Sequence, residues 1–289
     1  MTALPIVGQT VTTARVNVRQ GAASTSAPVL RTLEPGTAVP VVALVVGTAV
    51  QGNAHWFQTG QNGYVWSGGC GPFTPAPAPS PAVPVVVDLY HGDAVASFAQ
   101  AKAAGLRGVI HKATTGQSGT DPAYAQRRSA ARAAGLLWGA YHWGTAAPAD
   151  KQVENFLATA QPDNDTLVAL DFEPDKGNQM TLDGARQFLQ GVRDKLGRRA
   201  VLYSGSLIKS QLGTTKDAFF GAHRLWLAQY GSQPSVQASW STYWLWQYTD
   251  GTDGPDPKAC PGIPGDSAGK LDCDHYQGGE DQLAAEWAS

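Results

Sequence analysis

The sequence predicts an α/β protein in two parts, a small all-β barrel followed by an irregular (β/α) barrel of the TIM type. Three observations carry this. From about residue 8 to residue 71, short Val-, Thr- and Gly-rich runs alternate with turn residues, and no stretch holds a helical period. A Pro/Ala-rich segment, residues 72–84, then interrupts the pattern. From Val85 onward, apolar runs of strand length alternate with amphipathic runs of helix length, which implies a parallel sheet. The later helices are short or missing, which favours a closed, irregular barrel over an open sheet. The expected boundaries are 1–71, 72–84 and 85–289.

Composition narrows the function. At 289 residues, with 43% hydrophobic and 15% charged residues, the chain can bury a large core and is too apolar for disorder. A net charge of −2 argues against nucleic acid or an acidic membrane surface as the main partner. No apolar run reaches membrane-spanning length, so no membrane insertion is expected. The first residues lack the basic and apolar regions of a secretory signal, so the chain reads as one made in a cytoplasm. Of the three cysteines, Cys260 and Cys273 could close one loop, leaving Cys70 free. Nine Trp and nine Tyr supply flat faces that could stack on sugars, although most aromatics are core.

In the first part, residues 16–19, 36–42, 55–58 and 63–66 read as strands. The Pro/Ala segment favours extended polyproline II and, at ~3.1 Å per residue, could span roughly 35–40 Å. In the second part, the first strand runs into Asp88, and a helix near 94–104 stops at Gly105. Residues 107–112 form the next strand. Asp121-Pro122 then opens a helix that Gly135 closes. A strand at 136–142 leads to a helix carrying Val153, Phe156 and Leu157. Leu167 to Asp171 is continuously apolar until its last residue, as in a strand buried on both faces. Thr181 caps a helix with Ala185, Phe188, Leu189, Val192 and Leu196 inward, and Gly197 ends it. Strands follow at 199–203, 225–229 and 243–247, with a last one near 270–274.

The pair Asp171 and Glu173 closes the most buried strand. Residues i and i+2 of a strand share a face, so the two carboxylates point the same way and repel, and one pKa should rise. One could then stay protonated as a general acid beside a charged neighbour. A solvated strand end, a helix cap or a metal-binding pair would also fit the spacing. Asp88, Lys112, Tyr141, His142, Tyr203, Gln229 and Gln247 sit at other strand ends, which in a closed barrel converge on one mouth.

Two resemblances sharpen this reading. Ala14-Arg-Val-Asn-Val-Arg19, Leu33-Glu-Pro-Gly-Thr37, Trp56 and Gly63-Tyr-Val65 resemble a bacterial SH3-like domain. The resemblance implies a module that binds cell-wall peptide or serves as an adaptor. Further on come Asp88-Leu-Tyr-His-Gly92, His111-Lys-Ala-Thr-Thr-Gly116, Ala134-Gly-Leu-Leu-Trp-Gly-Ala-Tyr-His142 and Glu154-Asn-Phe156. They are followed in order by Asp171-Phe-Glu173, Leu225-Trp-Leu-Ala228, Trp246-Gln-Tyr248 and Asp272-Cys-Asp-His-Tyr-Gln-Gly278. The set resembles glycoside hydrolase family 25, the peptidoglycan muramidases, over about residues 84–289. It implies cleavage of the β-1,4 bond between N-acetylmuramic acid and N-acetylglucosamine, with no cofactor. Glu173 would be the general acid, and Asp171 would orient or stabilise the substrate's 2-acetamido group. Asp88 and Asp272 match the other two acids. Tyr141 and Tyr203 match tyrosines lining the pocket.

The candidate substrate-binding set is completed by His142 as a hydrogen-bonded wall, Lys112, Gln247, and Trp143, Trp226 and Tyr248 as stacking faces. Asp274 and His275 beside Cys273 lack the spacing of a closed metal site. Two positions depart from the family pattern: Tyr90 stands where Ser is usual, and Thr115 where Glu is usual. They leave open an adaptor whose barrel has lost turnover. A hydrolase of another N-acetylhexosamine polymer, such as chitin, is the third reading. On any of the wall-directed readings the place of action is the bacterial cell wall.

Overall fold

The structure, a computed structural model, describes residues 3–59, 63–75 and 83–289. The chain divides into two compact units, Met1–Ser80 and Pro81–Ser289.

The first unit is a seven-stranded antiparallel sheet. Its strands are β1 (Ala3–Val11), β2 (Val16–Gln20), β3 (Val29–Leu33), β4 (Ala38–Val50), β5 (Asn53–Thr59), β6 (Gly63–Trp66) and β7 (Thr74–Pro75). They lie in the order β3-β2-β6-β5-β4-β1-β7. The long strand β4 alternates, burying Val39, Val41, Ala43 and Val45. This is the period-2 pattern of a half-buried strand. Trp56 fills the core beside Ala43 and Val45, and its Nε1 donates to the Thr48 carbonyl at 2.9 Å. The expected 72–84 spacer starts later than its composition suggests, because Thr74 and Pro75 pair with Gln9 and Gly8 of β1. A proline is admissible there, since β7 is an edge strand. Residues 76–82 of that spacer lie outside the described residues.

The second unit is a closed eight-stranded barrel. Its strands are β8 (Val86–Leu89), β9 (Gly108–Thr115), β11 (Leu137–Trp143), β12 (Thr166–Asp171), β13 (Val201–Ser204), β14 (Leu225–Ala228), β15 (Leu245–Thr249) and β16 (Asp272–Tyr276), with a short flap β10 (Gly119–Thr120) paired to β9. From β8 to β15 the strands are parallel; β16 runs antiparallel to both neighbours, β15 and β8, and closes the ring. Helices α2 (Tyr124–Ala133), α3 (Ala149–Ala160) and α4 (Leu182–Leu196) are the long crossovers; α1 (Phe98–Ala104), α5 (Ser206–Leu212) and α6 (Ala218–Gly221) are short. The two crossovers after α4 are short, as the sequence suggests, and α1 is no longer than α5.

Local signals set the helix ends. Ser97 Oγ accepts from the Gln100 amide and caps α1, and Thr181 Oγ1 accepts from the Gly184 amide and caps α4. Gly197 closes α4 in the left-handed region, φ 72°. Every residue of β12 is buried, as its unbroken apolar run requires. Cys70, Cys260 and Cys273 are all free thiols, so the loop closure open to Cys260 and Cys273 is not made.

The sequence reading stops at the last strand and misses a C-terminal helix, α7 (Glu280–Glu286). Leu283 and Trp287 pack with Val86, Ile110 and Leu167 inside the barrel, at the end of the strands opposite Asp171. Trp287 is buried, and its Nε1 donates to the Trp138 carbonyl at 2.7 Å. Gly108 makes room for it: a Cβ there would lie 2.6 Å from the indole. Truncating the plug, Trp287→Ala, should therefore destabilise the barrel by about 3–5 kcal/mol, the usual cost of emptying a buried Trp site. Scanning calorimetry of the full chain checks this: the barrel transition should move down, and an unmoved transition would contradict the plug.

Candidate active site

The mouth of the barrel lies where the parallel strands end. Asp88 and Asp171 sit at the ends of β8 and β12, and Glu173 follows Asp171 by two residues. Because β16 is reversed, its first residue and not its last reaches the same mouth. Asp272 pairs directly with Asp88 in the β16–β8 register. Four carboxylates from three strands therefore converge, and none of the three strands is adjacent to all of the others. They line a cavity of about 110 Å³ together with Tyr141, Trp143, Tyr203, Trp226, Tyr230 and Gln247.

Hydrogen bonds fix one wall. Gln247 Nε2 donates to Asp88 Oδ2 at 2.8 Å, while Gln247 Oε1 accepts from the hydroxyls of Tyr203 (2.8 Å) and Tyr230 (3.1 Å). The two phenols use both lone pairs of the amide oxygen and so orient its nitrogen toward the aspartate. The floor is Trp226, buried between the rings of Tyr203 (4.5 Å) and Tyr141 (6.3 Å). Its Nε1 donates to Asp274 Oδ1 at 2.6 Å, beneath the mouth. Asp171 Oδ1 and Asp274 Oδ2 are buried with no hydrogen-bond partner among the described residues. Such orphaned acceptors are rare away from functional sites.

Electrostatics follow from burial. Removal from water raises the pKa of Asp171 well above the carboxylate range, and the charge of Glu173 raises it further; Lys112 opposes both. Burial likewise pushes Glu173 up to about 7, again opposed by Lys112. Asp272 is pushed to about 7 by burial and then by the charge of Asp93, and Asp88 is raised by burial and by Asp272 and Asp274. The sequence argument made mutual repulsion the main cause and expected only one of the pair to shift. Burial is the larger cause, and it acts on both. The free site thus holds its protons more tightly than the spacing of the two acids implies.

Strand alternation decides which expected residues reach the cavity. Tyr141, Tyr203, Trp143 and Gln247 do. His142, next to Tyr141, points the other way. It is fully buried, with Nδ1 2.7 Å from Thr114 Oγ1 and Nε2 3.0 Å from Gln152 Oε1, and stacks on Phe188 of α4. Burial lowers it to about 4, so it is a neutral core imidazole and not a wall of the site. Tyr248, next to Gln247, also faces the helix layer, donating to the Pro257 carbonyl at 2.6 Å. Trp226 reaches the cavity only as its floor, 1% exposed, and offers no face for stacking. Lys112 lies beside the cavity, its Nζ over the rings of Trp143 (4.9 Å), Tyr90 (5.3 Å) and Tyr141 (5.6 Å). Tyr230 was not anticipated. It follows β14 in a loop, and only the folded chain brings its hydroxyl back onto Gln247. Among the described residues, no group of His, Cys, Asp or Glu is arranged to hold a metal ion.

Comparisons with known proteins agree with this geometry. The model of the family "Glycosyl hydrolases family 25" matches residues 87–256, more than half of the chain. The match includes Asp88, Asp171 and Glu173 and stops before Asp272, which the closing strand supplies. The chain is 31% identical to an autolytic lysozyme of Clostridium acetobutylicum over 170 residues, 57% of this chain and 50% of that protein. It is 28% identical to the uncharacterized protein YegX of Escherichia coli K12 over 154 residues, 50% of this chain and 55% of that one. The chain thus spans about half the length of the curated relatives it matches. Among solved structures, a bacterial lysozyme from Streptomyces coelicolor has the same fold, with a TM-score of 0.61 at 23% identity, over 70% of this chain and 95% of that one. A muramidase from Trichobolus zukalii gives a TM-score of 0.59 at 25% identity, over 72% and 99%. With its matching barrel and family segment, the chain belongs to glycosyl hydrolase family 25.

Proposed function

We propose that the second unit is a muramidase that hydrolyses the β-1,4 bond between N-acetylmuramic acid and N-acetylglucosamine in peptidoglycan. The observation that carries this reading is Glu173 held beside buried Asp171 at the mouth of the barrel. Glycosidic cleavage needs a proton for the leaving oxygen and negative charge near an oxocarbenium-like carbon. Glu173, held near 7 by burial, keeps its proton through the acidic range. In the first step that proton passes to the glycosidic oxygen as the C1–O bond breaks. The carbonyl oxygen of the substrate's own 2-acetamido group bonds to C1 in its place. Water then adds to C1, returning a proton to the Glu173 carboxylate and releasing the acetamido oxygen, so the anomeric configuration is retained.

Asp171 suits the role of holding the acetamido group. Its Oδ1 has no partner among the described residues, and an amide N–H would satisfy it. A hydrogen bond to the charged carboxylate also favours ionisation, so substrate would draw the Asp171 proton down as it binds. Size fits as well. A cavity of about 110 Å³ corresponds to roughly three or four water volumes, enough for an acetamido group, with the glycan lying across the mouth. Asp88, oriented by Gln247, and Asp272 would hold the sugar hydroxyls, and the action falls at the bacterial cell wall. The first unit would bind wall peptide and raise the local concentration of the hydrolase on an insoluble polymer.

Three outcomes follow from this reading. Glu173→Gln, nearly isosteric, should fold normally and lose at least about two orders of magnitude in turnover, the scale of a lost general acid. Wild-type release of reducing ends from purified peptidoglycan by this variant would remove Glu173 from the role. The pH dependence has a defined sign: the active form carries a proton on Glu173, so kcat/KM on a soluble glycan should fall as pH rises through about 7. A rate constant to pH 9 would contradict the assignment. Residues 84–289 alone should match the full chain on soluble fragments and fall behind it on intact walls; equal rates on walls would exclude a holding role for the first unit.

A further inference from the structure

The groups that face the acid pair are of one sign or neutral. Asp88 comes from β8, Tyr141 from β11, Tyr203 from β13, Tyr230 from the loop after β14, and Asp272 and Asp274 from β16. Asp93, Asp250 and Asp266 add negative charge from the surrounding loops. His111 and His142 are buried and neutral, each lowered to about 4 by burial. Arg127 is turned away, donating to the carbonyls of Tyr90 and Asp93. Lys112 is the cation that acts on both Asp171 and Glu173.

The way Lys112 is held is unusual. Among the described residues no carboxylate comes within ion-pairing distance of its Nζ. Its ammonium instead lies over three aromatic rings, those of Tyr90, Tyr141 and Trp143, between 4.9 and 5.6 Å from their centroids. An ion pair would cancel the charge locally, whereas a ring quadrupole holds the cation and leaves its net charge to act at a distance. The strand register sets the direction. Lys112 pairs with Tyr141 on β11, and Trp143 two residues on pairs with Asp171 on β12. The caged ammonium is thus one strand removed from the acid pair, with two of its cage rings lining the cavity that the acids share.

We propose that Lys112 is a positioning residue of the site, the caged countercharge that stabilises the negative charge carried in turn by Asp171 and Glu173, rather than a group that binds substrate. This rests on the reading of the second unit as a glycosidase. When Glu173 gives up its proton, a carboxylate forms in a buried site already rich in acids. A fixed cation nearby lowers the cost of that step without competing for the carboxylate's hydrogen bonds. The sign is definite: the cation favours the charged forms, so its removal should raise the pH at which the acids ionise.

The experiment is a carboxyl carbon-13 titration of Asp171 and Glu173 in the full chain, as wild type and as Lys112→Met, Lys112→Gln and Lys112→Arg. The two neutral variants should raise the Glu173 midpoint by about one pH unit, the lower end of the effect of an opposite charge nearby. Lys112→Arg should stay close to wild type, because a guanidinium also sits on aromatic faces. On an uncharged soluble glycan, the neutral variants should lower kcat and move the basic limb of the rate profile to higher pH, with KM little changed. Midpoints unmoved in both neutral variants overturn the proposal. So does a raised KM with an unmoved profile, which would make Lys112 a substrate contact. If the wild-type chain hydrolyses no glycan, the function reading fails, while the titration still decides whether Lys112 is the countercharge.

Discussion

The pairing of β16 with β8 is the constraint on which the barrel and its site both depend. The strands from β8 to β15 form a parallel sheet that would remain open without an eighth member. A parallel eighth strand would need another crossover helix. The chain instead turns back through a loop and enters the gap antiparallel to both neighbours. Closure by reversal has a chemical consequence. In a parallel barrel only strand C-termini carry the site; here a strand N-terminus does too, and Asp272 meets Asp88 across one register pair. The same turn leaves the remaining chain at the opposite end, where Leu283 and Trp287 of the last helix fill the barrel bottom.

Gathering five acids in one buried region is costly, since each must be desolvated and like charges repel. The structure offsets this in three ways. Protons are retained, as the raised positions of Asp88, Asp171, Asp272 and Asp274 indicate. Neutral donors are aimed at the carboxylates, from Gln247 to Asp88 and from Trp226 to Asp274. Finally, one caged cation stands nearby. The second device does not reach every acid: among the described residues Asp171 Oδ1 and Asp274 Oδ2 are buried without a partner.

The fold was legible because its signals are local. Alternation, continuous apolar runs, capping residues and turn glycines each act within a few residues, and they placed the eight barrel strands and α4 nearly where they lie, whereas β1, β3 and β7 of the first unit and the flap β10 went unread. Asp88, Asp171, Glu173 and Asp272, which the structure brings to one cavity, stood out because they lie at or just past strand ends in an ordered set of motifs. Two residues expected at the site fail for one reason. His142 and Tyr248 sit beside residues that do reach the cavity, and a shift of one position along a strand changes the face. Motifs register proximity in sequence, not the pleat. Tyr230, Asp274 and the α7 plug were missed because their partners are distant: Gln247 lies 17 residues from Tyr230, and Trp226 lies 48 from Asp274.

The two departures from the family pattern now have different physical meanings. Thr115 is exposed, pairs with Gly119 in the flap and with Trp143 of β11, and is not itself among the residues lining the cavity. A threonine suits that ladder position. Tyr90 is another matter. Its ring lies over Lys112 and folds back on its own loop, so closely that a Cβ at Gly92 would come within 2.4 Å of the phenol. A serine has no ring to offer, so in this chain the outer face of the cation's cage comes from the substituted position itself. Tyr90 also remains 37% exposed, which leaves much of its ring at the rim beside the cavity. The substitution therefore adds an exposed aromatic surface and a third ring to the hold on Lys112.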